Sequence, residues 1–98
     1  MEKQRGWSKI AYQVHTSQHA YDYLDKLDAH LKDRIIARLK KLAENPIPKD
    51  AKFIQRDETG DKIFRYRIGD YRALYKVKEK DQIVLIAEID KRPRIYGQ

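Results

Sequence analysis

Apolar residues recur every three or four positions in the first half of the chain and every second position after Pro48. A period near 3.6 marks an amphipathic helix and a period of two marks a half-buried strand. Leu31, Ile35, Leu39 and Leu42, spaced 4, 4 and 3, predict one helix. Asp28 is placed to cap its start, and Lys40 and Lys41 fall in its last turn, where cations oppose the helix dipole. An earlier helix follows the capping residue Ser17 and carries Ala20, Tyr23, Leu24 and Leu27 on one face. Before it, Ala11 to Thr16 alternates as a short strand, with Tyr12 and Val14 against Gln13 and His15. Residues 1–10 are polar, carry Trp7 and show no period, so they predict a loose extension ahead of a single domain over residues 11–98.

Asn45, Pro46 and Pro48 end the helical half, because a residue that precedes proline avoids the helical region. Ala51 to Gln55 predicts a short strand, and Asp57 to Asp61, with Gly60, a turn. From Lys62 to Ile68, Phe64, Tyr66 and Ile68 face one way and Arg65 and Arg67 the other. Gly69-Asp70 fits a two-residue hairpin turn, the glycine supplying a positive φ. The next strand, Tyr71 to Lys78, sets Tyr71, Ala73, Tyr75 and Val77 against Arg72, Leu74 and Lys76. Ile83 to Ile89 is almost wholly apolar and predicts a central strand covered on both faces. The predicted order is β-α-α-β-β-β-β. That is an α+β fold with two helices on one face of a small twisted, mainly antiparallel sheet, whose other face is open for binding.

Size and charge narrow the function. Ninety-eight residues suit one domain with a modest core, and the absence of cysteine removes disulfides and thiolate metal sites, as fits a reducing cytoplasm. No targeting or membrane segment is read, the longest apolar run being the five residues Ile83 to Ala87. A net charge of +7 implies an anionic partner. The excess lies with the strands: Asp61 to Gln98 holds ten basic against six acidic residues, whereas Asp22 to Glu44 holds six against five.

Candidate chemistry is sparse outside the arginines. His15, His19 and His30 match no metal-ligand spacing, no glycine-rich phosphate loop occurs, and no nucleophile–base arrangement is evident, so neither metal nor cofactor is expected. Arg65, Arg67, Arg72, Arg92 and Arg94, interleaved with Tyr66, Tyr71, Tyr75 and Tyr96, are the remaining set. Guanidinium groups bind phosphate bidentately, and aromatic rings stack on unpaired bases. The same residue types also populate exposed strand faces for solubility alone, and Arg67 and Arg72 have Asp70 nearby in sequence as a pairing partner. RNA carries its own nucleophile, the 2′-hydroxyl. A protein that cleaves it must take that proton, stabilise charge on the phosphoryl oxygens and protonate the leaving 5′-oxygen. Arginine does the second job well and the others badly, and a free phenol with a pKa of about 10 is a poor base near neutrality.

The block from Phe64 to Tyr75, with YR-x-GDYR-x-L-Y character, and the closing KR-x-R-x-Y of Lys91 to Tyr96 resemble the RelE family of the RelE/ParE toxin–antitoxin superfamily. The helix pair, the NPIP segment and the meander fit that family from about Ala11 to Tyr96. The resemblance implies a cytoplasmic, metal-independent endoribonuclease that cuts messenger RNA in the ribosomal A site and is inactivated by an acidic, RelB-like antitoxin. It implies catalytic roles for Arg72 and Arg92 on the scissile phosphate and for Tyr96 on the cleaved nucleotide, with Arg65, Arg67 and Arg94 binding RNA. Arg65 and Arg67 stand where well-studied members have lysines; a lysine can be tuned into a base and an arginine cannot readily be, so the identity of the base stays open. The alternatives are a ParE-like inhibitor of DNA gyrase without nuclease activity and a degenerate RNA- or protein-binding module.

Overall fold

The structure, a computed structural model, describes residues 11–91. The expected extension at residues 1–10, and Arg92, Arg94 and Tyr96, lie outside the described residues.

Strand β1 (Gln13–Thr16) leads into helices α1 (Gln18–Asp25) and α2 (Ala29–Lys40), followed by a 3₁₀ turn at Lys41–Ala43. Four strands follow: β2 (Lys52–Arg56), β3 (Lys62–Ile68), β4 (Tyr71–Lys78) and β5 (Ile83–Asp90). Both expected caps form. The Ser17 hydroxyl accepts from the Ala20 N–H at 3.1 Å, and the Asp28 carboxylate accepts from the Leu31 N–H at 3.2 Å. Each satisfies a backbone donor that the first helical turn leaves without a partner.

The sheet runs β1-β5-β4-β3-β2. Only β1–β5 is parallel, because the two helices carry the chain back over the sheet between these strands. Ala20, Leu24, Ile35, Leu39 and Leu42 pack on Phe64, Tyr66, Ile68, Tyr71, Ala73, Tyr75, Val77, Val84, Ile86 and Ile89, leaving no buried charged residue among the described residues. Tyr66, Tyr71 and Tyr75, interleaved with the arginines in sequence, are buried in this layer and so are not exposed for stacking; Tyr75 is fully buried and its hydroxyl donates to the Pro46 carbonyl at 2.6 Å. Burial raises the Tyr75 phenol well above its ordinary pKa.

One expectation is corrected. Strand β5 lies inside the sheet, but β4 is the middle strand, and β5 is covered on one face only. Val84 and Ile86 are buried while Ile83 and Leu85 are half-buried; beyond Ala87 the buried position is Ile89. The register slips there, from Tyr75 opposite Ile86 to Leu74 opposite Glu88, so Ala87 is an extra residue. Such a bulge reverses which parity points to the core. A bulged one-sided strand therefore reads in sequence as a continuous apolar run. The Ser17 hydroxyl donates to the Ala87 carbonyl at 2.8 Å, tying the bulge to the start of α1.

The β3–β4 turn is a two-residue hairpin. Gly69 takes φ +61° and Asp70 does not share a positive φ, the pattern of a II′ turn. No helix among the described residues is long and apolar enough to cross a membrane.

Candidate nucleic-acid interface

The hairpin brings the arginines of the two strands together. Arg67 on β3 is the direct cross-strand partner of Arg72 on β4, and Arg65 stands opposite Lys52 on β2. All four face away from the helices. They line an open groove of roughly 710 Å³ with Arg38, Asp50, Gly69 and Asp70. Five cations thus meet two carboxylates.

Like charges directly opposite on neighbouring strands destabilise a sheet, typically by a few tenths of a kcal/mol to about 1. Neither guanidinium of the Arg67–Arg72 pair has a carboxylate within 4 Å among the described residues to offset this directly. Asp70 does not pair with either, which removes the simplest structural reading of these two side chains. Asp90 is the register partner of Arg72 on its other side, so β5 ends level with the groove.

Arg38 was not singled out by sequence. It projects from α2, with Nη2 donating to the Tyr66 hydroxyl at 3.2 Å and to the Arg67 carbonyl at 3.3 Å. Its guanidinium carbon lies 5.2 Å from the Tyr66 ring centroid, and Nη2 is 3.7 Å from the Asp50 carboxylate. Arg38 therefore ties helix, core tyrosine and strand end into one wall. Its position just before the buried Leu39 was the available signal: a cation flanking the apolar stripe reaches back over the sheet. Lys52 and Asp50 were also missed. Their arrival depends on how the NPIP segment folds back, and the Tyr75–Pro46 hydrogen bond fixes that path.

Of the six site residues expected from sequence, Arg65, Arg67 and Arg72 come together in the groove, while Arg92, Arg94 and Tyr96 lie outside the described residues. The arrangement can bind an anionic ligand across strands β2, β3 and β4 and stabilise negative charge developing on it.

A small α+β protein with such a groove beside its hairpin belongs to a recognisable class. The family model described as the ParE toxin of the type II toxin–antitoxin system parDE matches residues 14–96. A Methanocaldococcus jannaschii protein named as a toxin, RelE1, is 38% identical over 73 residues, which cover 67% of this chain and 81% of that one. Among solved structures, the archaeal RelE–RelB complex of Pyrococcus horikoshii OT3 contains a chain with 25% identity and a TM-score of 0.75, covering 87% of this chain and 99% of that one. The Mycobacterium tuberculosis toxin–antitoxin complex RelBE2 contains one with 26% identity and a TM-score of 0.71, covering 87% and 95%. The chain belongs to the RelE/ParE superfamily of type II toxin–antitoxin toxins, on its RelE side.

Proposed function

We propose that this toxin is a cytoplasmic, metal-independent endoribonuclease that cleaves messenger RNA at the ribosomal A site. The observation that carries the reading is the Arg67–Arg72 pair, two guanidinium groups held at one level of the sheet with no carboxylate partner among the described residues. A phosphodiester lying between them receives two planar donor forks, and the charge that grows on its oxygens as the 2′-oxygen attacks is met by fixed cations. Arg72 acts on the scissile phosphate from the strand. Arg92, two residues beyond Asp90 in sequence, closes on it, and Tyr96 stacks on or orients the cleaved nucleotide. Arg65 and Arg94 bind the RNA chain.

No described group is assigned as the base. The ribosome compensates by holding the message near the geometry for in-line attack, an effect that reaches roughly 7–11 kcal/mol in the best cases. Naked RNA is then a poor substrate.

The solved relatives are toxins in complex with antitoxins. By analogy, and because the net charge is +7, this chain is silenced by an acidic antitoxin. Charge steers that encounter, and exposed apolar residues such as Phe53 and Ile54 on edge strand β2 offer anchors.

The matching family model bears the ParE name, so the decisive experiment separates the two activities. A primer-extension map of a defined message, with and without ribosomes, is run beside a gyrase supercoiling assay. Ribosome-dependent cuts with normal supercoiling are expected. Intact messages with blocked supercoiling would make the chain a topoisomerase inhibitor, and silence in both would leave a binding module.

A further inference from the structure

A second basic groove begins where the first ends. It holds roughly 460 Å³, and its lining includes Arg34, Arg38, Gly69, Asp70, Tyr71 and Lys91. Arg38, Gly69 and Asp70 line both grooves, so the two meet around the hairpin tip. Arg34 and Arg38 are four residues apart in α2 and share a helix face, a spacing at which like charges weaken a helix. Arg34 and Lys91 are exposed, and neither has a carboxylate within 4 Å of its side-chain nitrogens among the described residues. The Lys91 N–H donates to the Asp90 carboxylate at 2.7 Å, which sets Lys91 at the exit of β5 beside the first groove.

The floor differs from the rim. Ile35, Ile68 and Tyr71 form it and are buried, so the half-buried Leu31 is the one apolar side chain of the lining left for a docking peptide to grip. An acidic protein segment needs apolar anchors for lasting affinity, and those on this chain, such as Phe53 and Ile54, are exposed elsewhere. A polyanion needs only the row of cations.

We propose that the RNA strand held between Arg67 and Arg72 continues past the Gly69-Asp70 tip into this second groove. There Arg34 and Lys91 hold phosphates that flank the cleavage site, and Arg38 joins the two grooves. The inference rests on the RNA-cleaving reading above and adds a second phosphate site, formed by a helix face and the end of β5.

The test is binding of 2′-O-methyl oligoribonucleotides, which lack the nucleophile and stay intact, to the wild-type chain and to the Arg34→Gln/Lys91→Gln double variant. Fluorescence anisotropy is recorded for a trinucleotide and an octanucleotide over a range of salt. Each cation–phosphate contact to a single strand contributes about 0.7 to the slope of log affinity against log salt. The double variant should bind the octamer on the order of tenfold more weakly at 0.1 M salt, with a slope smaller by about 1.4. Its trinucleotide affinity should be unchanged, because the first groove is intact. Equal octamer affinity and slope in the two proteins would overturn the second groove and leave the first standing. If the wild-type chain binds neither oligonucleotide, this inference falls, while the RNA-cleaving reading is decided separately by the primer-extension map. Loss of affinity for a glutamate-rich peptide, with octamer binding retained, would reassign the groove to protein docking.

Discussion

The two ends of the β3–β4 hairpin carry the same kind of residue in opposite circumstances. Away from the Gly69-Asp70 tip, Lys76 pairs with Asp57, Lys78 lies 3.2 Å from Asp61, and Lys62 lies 4.0 Å from Glu79. Thr59 links the first two pairs, donating from its hydroxyl to Asp57 at 2.7 Å while Asp57 also accepts the N–H groups of Thr59 and Asp61. At the tip, Arg67 and Arg72 face each other with no such partner among the described residues. One end is a closed polar network that holds the β2–β3 turn. The other keeps two like charges opposite each other at a small cost to the sheet, a cost that a bound anion would relieve.

The largest effect should come from the tip. Arg72→Ala should slow ribosome-dependent cleavage about a hundredfold, as expected for losing one charged transition-state contact worth on the order of 3 kcal/mol. Its thermal midpoint should stay near wild type, since the side chain is only half-buried and its removal opens no cavity. Cleavage at the wild-type rate in the primer-extension assay would remove Arg72 from the site.

The far end should answer in stability instead. The Asp57 side chain is 14% exposed and that of Lys76 is 24% exposed, so Asp57→Ala strands a partly enclosed ammonium. The variant should melt at a lower temperature and still cleave. Lys76 and Thr59 hold the Asp57 carboxyl well below the ordinary carboxylate range. Because its folded-state pKa is depressed, the stabilisation is fully present above the unfolded value of about 3.9 and is lost as pH falls below it. Urea melts between pH 6 and pH 3 should show wild type losing stability on acidification, and Asp57→Asn losing less. Parallel losses would mean that this carboxyl is not the coupled group.

A subtler contrast is one of sign. Removing Arg67 relieves the like-charge contact with Arg72, so Arg67→Ala should leave stability unchanged or raise it by up to about 0.5 kcal/mol while cleavage falls. A clear loss of stability would show that Arg67 has a structural partner. The smallest effect is expected at Lys62, whose contact with Glu79 is long and whose partner side chain is 60% exposed. Lys62→Ala should change stability by less than about 0.5 kcal/mol and leave cleavage alone.

The local pattern of the chain determined the elements. Strict alternation over Lys62–Ile68 and Tyr71–Lys78, the glycine of the hairpin, and caps at Ser17 and Asp28 are local requirements, and each formed as read. The same alternation put Arg65, Arg67 and Arg72 on the face away from the helices. Two things were not local. The bulge at Ala87 depends on pairing with β4, more than ten residues earlier, so a one-sided strand was indistinguishable from a two-sided one. The charge state of the grooves depends on which carboxylates arrive across the sheet, and sequence lists lysines and arginines without their partners. Only the folded chain set Asp57 and Asp61 beside Lys76 and Lys78, swung Arg38 over Tyr66, and left Arg67 against Arg72. Periodicity decides which way a side chain points; three-dimensional distance, on which Coulomb energy depends, decides what it meets there.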